Sequence, residues 1–323
     1  MSEPVPLRLD DLVLAATVAR RYFLEDRTKV QIASEMRLSR FKVARLLDLA
    51  RSSGIVRIAI ATPGAVDAEL SVLLRERLGL GRAIVVNTVD DEDGTAREHL
   101  GDVAATLLGE VLTPSDVLGL GWSQAVLATA ERLHRLPACT VVQLTGGLSR
   151  PDVAASLIDA VDRLARRGGG RGYTFYAPMF VSDPDSVEVI RRQPETAAAF
   201  DRFPDVTRAV IGIGCWRPVS SNLHDALTAD ERAALHRDHV LADLSGTFLD
   251  TAGKPLTMPL SRQVIGISAE QLHAVPDVIC IAYGRSKAPA VAAAVGAGYV
   301  TTLVTTAALA QELLTQPIPS TKG

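Results

Sequence analysis

The sequence predicts an α/β protein in two parts: a small N-terminal helix-turn-helix head, residues 1–62, and a larger body, residues 63–323, built on a mainly parallel sheet. Three observations predict this. In the head, helical periodicity is interrupted by closely spaced capping residues. In the body, short apolar segments alternate with helical stretches. The charge also divides: the head has eleven Lys and Arg against seven Asp and Glu, and the body has 23 against 30.

The composition is that of a folded globular protein. Of the 323 residues, 47% are hydrophobic and 22% charged, which excludes a disordered or fibrous chain. No apolar stretch approaches the roughly 18 residues of a membrane helix, and the N-terminus is acidic where a secretory signal is basic, so we expect a cytoplasmic protein with no membrane partner. Three cysteines, Cys139, Cys215 and Cys280, form no CxxC or Cys/His pair, which indicates neither a disulfide framework nor a structural zinc site. We expect no metal and no cofactor.

The head contains start signals for three helices. Asp10 or Asp11 can cap the first helix, and Thr28 with Gln31 forms a capping box at the start of the second. Ser39 can cap a third helix that ends near Gly54. The break between the second and third helices is only three or four residues. Such a turn lets one helix brace across the DNA backbone while the next enters the major groove.

The start of the third helix carries groups that suit nucleic acid. Hydroxyl and cationic groups bind phosphate oxygens, and a guanidinium binds guanine O6 and N7. Residues 55–60 are mostly apolar and β-branched and predict the short strand of a wing, with Arg57 near phosphate. The predicted DNA-binding residues are Thr28, Gln31, Ser39, Arg40, Phe41, Lys42, Arg45 and Arg57. Phe41 either packs or touches a thymine methyl, and the alternative for the whole head is a packing module without nucleic acid.

The body begins after a predicted linker, residues 62–68, which contains Pro63 and Gly64. Short, continuous apolar strands separated by helices indicate a mainly parallel sheet covered on both faces, and ligands of such sheets bind beyond the carboxyl ends of the strands. The predicted strands are residues 83–87, 117–120, 139–144, 173–176, 209–213, 240–244, 278–282 and 300–304.

Glycine and polar residues follow several of these strands. The ligand-binding residues that we predict are Gly121, Trp122, Ser123, Gln124, Gln143, Thr145, Gly146, Gly147, Asp243, Gly284 and Lys287. Gly212 and Gly214 lie in a similar place. Asp243, inside an apolar run, either accepts hydrogen bonds from sugar hydroxyls or caps a local turn. Lys287 opens a helix, where a cation opposes the helix dipole, which favours a bound anion nearby.

The head resembles the DNA-binding head of the SorC family of bacterial sugar-responsive transcriptional regulators. The resemblance lies in the stretch from Tyr22 to Ile60, "YFLEDRTKVQIASEMRLSRFKVARLLDLARSSGIVRIAI". The matching features of this stretch are the Ile-Ala start, the Leu-Ser-Arg turn and the Gly-Ile-Val ending. One departure is Ala44, where the family tends to have serine.

The body resembles the effector domain of the same family in "GLGWSQAV", "VVQLTGGL", "VIGIGCW", "ADLSGTFLDTAGKPL" and "AYGRSKAPAV". The resemblance implies a Rossmann-like fold related to ribose-5-phosphate isomerase and glucosamine-6-phosphate deaminase. It also implies a sugar or sugar-phosphate effector and a homodimer or homotetramer. Ser123 stands where the family usually has glycine, and Thr306 where it usually has aspartate.

The resulting hypothesis is a regulator of carbohydrate metabolism, not an enzyme, whose binding to double-stranded operator DNA responds to a sugar or sugar phosphate. The rival is a sugar-phosphate isomerase or deaminase that has gained a DNA-binding head; a purely architectural DNA binder would not need so large a body. An enzyme would need a general base at the strand ends, and the sequence offers few candidates there. His236 and His239 lie in a polar helical stretch and are interpreted as a surface face rather than a metal site.

Overall fold

The computed structural model describes residues 9–56, 66–88, 94–148 and 156–316. The chain divides into two compact units, Met1–Ala61 and Thr62–Gly323. The first unit contains the helices α1 (Leu9–Phe23), α2 (Lys29–Glu35) and α3 (Arg40–Ser52). Apolar residues spaced three and four apart on these helices share one small core, formed by Ala15, Val18, Ala19, Ile32, Val43, Leu46, Leu47 and Ala50.

The helix-turn-helix is fixed at both helix starts by side-chain caps. Thr28 Oγ1 accepts a hydrogen bond from Gln31 N at 3.3 Å, and Gln31 Oε1 accepts one from Thr28 N at 2.9 Å. Ser39 Oγ accepts from Lys42 N at 3.1 Å and caps α3. Only four residues, 36–39, separate α2 from α3. The predicted helix-turn-helix is therefore confirmed, with Thr28 and Ser39 as its caps.

Two details of the head differ from the sequence prediction. Helix α1 begins at Leu9, so Asp10 and Asp11 lie inside its first turn instead of capping it; there they still favour the positive end of the helix dipole. Ile55 and Val56 are not in a strand, because Val56 N turns back to bond Ala50 O at 2.8 Å. The rest of the predicted wing, including Arg57, lies outside the described residues.

The body contains two sheets. Within the described ranges, a large sheet has the order β1-β2-β12-β11-β6-β3-β4-β5, and all its strands except β1 pair in parallel. These strands are β1 (Val66–Asp67), β2 (Arg82–Val86), β3 (Val117–Leu120), β4 (Thr140–Gln143), β5 (Gly172–Tyr173), β6 (Arg208–Gly212), β11 (Asp277–Ala282) and β12 (Thr302–Thr306). A smaller antiparallel sheet, ordered β10-β9-β7-β8, consists of β7 (Gly214–Trp216), β8 (Val219–Ser220), β9 (Ala242–Leu244) and β10 (Thr247–Leu249).

Helices cover both faces of the large sheet. The helices of the body, within its described residues, are α4 (Ala68–Leu78), α5 (Gly94–Val111), α6 (Gln124–Arg132), α7 (Leu157–Gly168), α8 (Pro184–Arg191), α9 (Pro194–Phe200), α10 (Ala229–Arg237), α11 (Ala269–Ala274), α12 (Ala288–Gly296) and α13 (Ala307–Thr315). Successive residues of β11 alternate between two cores: Val278 and Cys280 face the core that holds α4, α12 and α13, whereas Ile279 and Ile281 face the core that holds α5, α6 and α7. The predicted parallel sheet with two covered faces is confirmed. No helix among the described residues is long and apolar enough to span a membrane.

Three predicted segments of the body need correction. Of the strand predicted at residues 240–244, only Ala242–Leu244 form a strand, and this strand, β9, belongs to the small antiparallel sheet, because an apolar run does not specify the sheet that it joins. The predicted strand at 173–176 is reduced to β5, since Phe175 N bonds a glutamine side chain, Gln143 Oε1, at 3.1 Å. Of the predicted linker, Val66 and Asp67 form β1, and Asp67 caps α4 by accepting a hydrogen bond from Leu70 N at 2.9 Å; residues 62–65 lie outside the described residues.

A polar network ties the amino ends of β3 and β6 together. Asp116 accepts hydrogen bonds from Thr113 N at 2.8 Å and Thr207 Oγ1 at 2.7 Å, and it pairs with Arg208 Nε at 3.3 Å. Arg208 also pairs with Asp277 at the start of β11. Burial acts to raise the pKa of Asp116, but the hydrogen bonds from Thr207 and Thr113 outweigh it and leave the pKa below its ordinary value. The amino ends of β3, β6 and β11 are therefore held together by charge and hydrogen bonds.

Candidate functional site

The solvent face of α3 brings together most of the residues predicted to bind DNA. Its inner face buries Val43, Leu46, Leu47 and Ala50. The residues at its outer face and start, Ser39, Arg40, Phe41, Lys42 and Arg45, are exposed. Thr28 and Gln31 are also exposed, but their side chains are used in the capping box of α2. Arg57 lies outside the described residues.

A second candidate site lies at the carboxyl ends of β3, β6 and β11, where the small sheet meets the large one. Its walls line a narrow cavity of about 30 Å³. Trp122 and Ser123 follow β3, Gly212 ends β6, and Lys287 lies beyond the end of β11. The small sheet adds Asp243 from β9. The pocket therefore occupies the position where ligands bind in open parallel sheets.

Asp243 is the buried charge of this pocket. Its Oδ2 accepts hydrogen bonds from Trp216 Nε1 at 2.8 Å and from Ser221 Oγ at 2.6 Å. The residue is only 7% exposed. Burial raises the pKa of the Asp243 carboxyl above its ordinary value, although the two hydrogen bonds and the positive charge of Lys287 act in the opposite direction. The two donors hold the carboxylate in one orientation at the pocket wall.

The glycines around the pocket are required by close contacts. A Cβ on Gly214 would lie 2.1 Å from Asp243 Oδ2 and 2.4 Å from Ser221 Oγ. A Cβ on Gly121 would lie 2.2 Å from Ser245 Oγ. Gly121 thus acts by making room for a pocket residue, since it is not itself part of the pocket wall. At both positions only glycine leaves space for the polar side chains.

Ser245 adds an unusual polar group to the wall. It is 7% exposed, and its Oγ has no hydrogen-bond partner within the described residues. Its φ of 49° lies in the left-handed region, which a side-chain-bearing residue rarely adopts. An unpaired hydroxyl in a buried pocket is costly, and a ligand with polar groups would satisfy it.

A cleft continues from the pocket along the start of α12. Asn222, Tyr283 and Lys287 line both spaces, and Gln124 and Gly284 line the cleft. Lys287 Nζ lies 5.2 Å from the centre of the Tyr283 ring. The structure therefore brings Gln124, Gly284 and Lys287 together with Asp243 around one continuous space.

The segment after β4 has a different role from the one its glycines predict. Gln143 donates to Thr145 O at 2.9 Å and accepts from Phe175 N at 3.1 Å, so its amide is used inside the fold. Thr145 Oγ1 accepts a hydrogen bond from Trp122 N at 3.0 Å. Gly146 allows close approach to Pro178 O, since its Cβ would lie 2.3 Å away. Gln143, Thr145, Gly146 and Gly147 are not among the wall residues of the pocket or cleft.

Sequence reasoning missed three residues of the site. Trp216 and Ser221 hold Asp243 from positions 27 and 22 residues away, and no local pattern indicates that pairing. Arg97 donates to Gln124 Oε1 at 2.7 Å, and burial raises the pKa of Tyr283 while the Arg97 charge opposes that rise. Arg97 was detectable in principle, because a cation in the first turn of α5 opposes the helix dipole.

Comparison with known proteins shows the family to which this architecture belongs. The Sugar-bind family model, described as "Putative sugar-binding domain", matches residues 64–315. The crystal structure of the full-length sorbitol operon regulator SorC from Klebsiella pneumoniae superimposes with a TM-score of 0.69 at 26% identity, covering 94% of this chain and 99% of that one. The chain belongs to the SorC family of sugar-binding transcriptional regulators.

Sequence relatives in the SorC family match over nearly the full length. The sorbitol operon regulator of Klebsiella pneumoniae is 27% identical over 322 residues, which covers 94% of this chain and 98% of the relative. The transcriptional regulator LsrR of Klebsiella pneumoniae subsp. pneumoniae is 26% identical over 315 residues, covering 95% and 94%. The head and the body therefore occur together in these regulators, as they do in this member of the SorC family.

Proposed function

We propose that α3 of this SorC-family regulator binds the major groove of operator DNA, and that a sugar or sugar phosphate bound at the strand-end pocket changes that binding. The observation that carries the effector half is the buried Asp243 carboxylate, which Trp216 and Ser221 hold at the wall of a pocket that also contains Lys287. A carboxylate accepts hydrogen bonds from sugar hydroxyls, and an ammonium group binds phosphate oxygens.

The DNA-binding half of the proposal is supported by charge on α3 and around it. Arg40, Lys42 and Arg45 are exposed on or beside the outer face of α3. Between positions 37 and 57 the chain has six Lys and Arg and one carboxylate, Asp48. Each phosphate that these cations neutralise releases counterions, which favours a polyanionic partner. The start of a recognition helix is also the part that reaches base edges.

In this proposal the protein binds its effector and does not convert it into a product. The relatives are named transcriptional regulators, and Lys287 together with Asp243 binds hydroxyl and phosphate groups without any further step. The name of one relative, sorbitol operon regulator, makes sorbitol and sorbitol phosphate the first effectors to test. A sugar-phosphate isomerase or deaminase is the alternative, and turnover of a bound sugar phosphate would support it.

The regulator acts in the cytoplasm as a homodimer or homotetramer in this proposal. Paired heads in a symmetric assembly would bind two operator half-sites separated by one or more helical turns of about 34–36 Å. An effector that binds one arrangement of the heads more tightly than another would then change operator affinity. The number of protected half-sites in a footprint tests the assembly.

Thermal unfolding with a panel of sugars, polyols and their phosphates tests the effector class. A ligand at about 100 times its dissociation constant stabilises the folded state by about 2.7 kcal/mol. We expect a raised midpoint for at least one compound and no turnover. Lys287→Ala should abolish the shift while operator binding persists, and Lys254→Ala, which changes an exposed lysine outside the pocket, should keep it.

Operator binding is measured separately by gel shift with duplexes selected from a random pool. Arg40→Ala should weaken operator binding at least several-fold and leave the effector-induced thermal shift intact, because it changes only the outer surface of α3. Arg20→Ala, an exposed change on α1, is the control. Reversed or merged phenotypes for Arg40→Ala and Lys287→Ala would refute the assignment of DNA binding to the head and sensing to the body.

A further inference from the structure

Phe41 is the most exposed large apolar side chain in the described parts of the chain. It is 85% exposed, whereas the other exposed apolar residues on the helices of the head, Val13 and Val30, are each 60% exposed. Helical geometry explains this position. The buried residues of α3 centre on Val43 and Leu47, and at about 100° per residue Phe41 lies roughly opposite them. Phe41 therefore lies on the face of α3 that is opposite its buried residues.

The surroundings of Phe41 are cationic. Arg40 and Lys42 flank it in the chain, and Arg45 lies one turn further along the same face. All three are exposed. A phenyl ring has no hydrogen-bonding group, so Phe41 cannot anchor a phosphate as its neighbours can. The polyanion that these cations attract must still cover the ring when it approaches α3.

From this placement we infer that Phe41 is a specificity-determining residue that contacts the C5 methyl group of a thymine in the major groove. The inference rests on the proposed DNA-binding function and adds the base that the residue selects. The thymine methyl is the apolar group on the major-groove edge of DNA, and phenylalanine is among the residues that contact it. Phe41 is the second residue of α3, within the part of a recognition helix that reaches base edges.

The geometry also places the thymine relative to a guanine. Phe41 and Arg45 are four residues apart, which corresponds to about 6 Å along the helix axis. Base pairs are spaced by about 3.4 Å, so the two side chains reach positions about two base steps apart. If Arg45 binds guanine, each half-site should contain a thymine within about two base steps of that guanine.

The test uses the full chain and a duplex selected from a random pool. Each thymine near the selected guanine is replaced in turn by deoxyuridine, which removes only the methyl group. Burial of one such group contributes about 0.8 kcal/mol, so wild-type affinity should fall about fourfold at one position. Phe41→Ala should bind the thymine and deoxyuridine duplexes with equal affinity, and Phe41→Leu should give an intermediate ratio.

Controls separate the possible outcomes. Val13→Ala removes an exposed apolar side chain of α1 and should keep the wild-type fourfold ratio, and thermal midpoints verify that each variant is folded. Phe41→Ala that retains the fourfold ratio overturns the inference while DNA binding stands. Phe41→Ala with an altered molar mass in sedimentation assigns the ring to a contact between protein chains, which also overturns it. A wild-type protein that selects no duplex refutes the proposed function itself.

Discussion

Replacing Gly214 by alanine tests the packing that holds the carboxylate of Asp243. The new Cβ would lie 2.1 Å from Asp243 Oδ2, 2.7 Å from its Cγ and 2.4 Å from Ser221 Oγ. The carboxylate cannot withdraw freely, because it is buried and its Oδ2 accepts hydrogen bonds from Trp216 and Ser221. Overpacking of a close-packed interior costs roughly 1–3 kcal/mol. We expect a cost in the middle of that range, together with loss of the effector-induced thermal shift.

Thermal unfolding followed by circular dichroism measures this cost. In a domain of roughly 150–250 residues, 1 kcal/mol corresponds to about 2–4 °C, so a cost of about 2 kcal/mol lowers the midpoint by about 4–8 °C. Gly81→Ala is the matched control, because its Cβ would lie 3.5 Å from Thr301 O, an ordinary contact. The midpoint of that control should change by less than about 2 °C.

A double-mutant cycle assigns the cost to the carboxylate. Asp243→Ala removes two of the three atoms nearest to the added methyl group. Gly214→Ala should therefore cost less in the Asp243→Ala background, by at least about 0.5 kcal/mol. A Gly214→Ala protein that unfolds at the wild-type temperature, or two costs that simply add, would refute the reasoning.

Two further predictions concern carboxyl groups with displaced pKa values. Burial raises the pKa of Asp243, so the folded state binds its proton more tightly than the unfolded chain, and wild type should lose stability relative to Asp243→Asn as the pH rises above about 4. Midpoints of both proteins from about pH 4 to about pH 8 check this, and a constant difference would contradict it. At Asp116, burial raises the pKa, but hydrogen bonds from Thr207 and Thr113 leave it lowered, so this carboxylate stabilises the fold above the ordinary pKa. Asp116→Asn should cost about 1.5–3 kcal/mol near neutral pH in urea unfolding, and the cost should shrink below about pH 4; a gap that persists in acid would sink the explanation.

The head could be predicted closely because its chemistry is local. A capping box joins Thr28 to Gln31 and a cap joins Ser39 to Lys42, and each acts over three residues. The same locality explains the strands of the large sheet, since β3 spans the residues that its apolar run predicts. The start of α1 was misplaced because Asp10 and Asp11 suit the first turn of a helix as well as its cap.

The pocket was predictable in place but only partly in composition. Its position follows from the rule for parallel sheets, and Asp243 and Lys287 stand out because each is a charge in an unfavourable local setting. Trp216 reaches Asp243 through the antiparallel pairing of β7 with β9, and Ser221 follows β8, which pairs with β7; no spacing along the chain indicates either contact. Glycines such as Gly146 mark close approach, but the sequence does not say whether the approaching group is a ligand or, as here, Pro178.

The junction between the two sheets has a mechanical consequence. A single residue, Ile213, separates the end of β6 at Gly212 from the start of β7 at Gly214. Ile213 is 4% exposed and packs in the core with β6 and α12. With so short and so firmly anchored a connection, the small sheet has little freedom to swing by itself. A displacement of Asp243 would therefore pass through β7 to β6, a central strand of the large sheet, because no flexible loop separates these two strands.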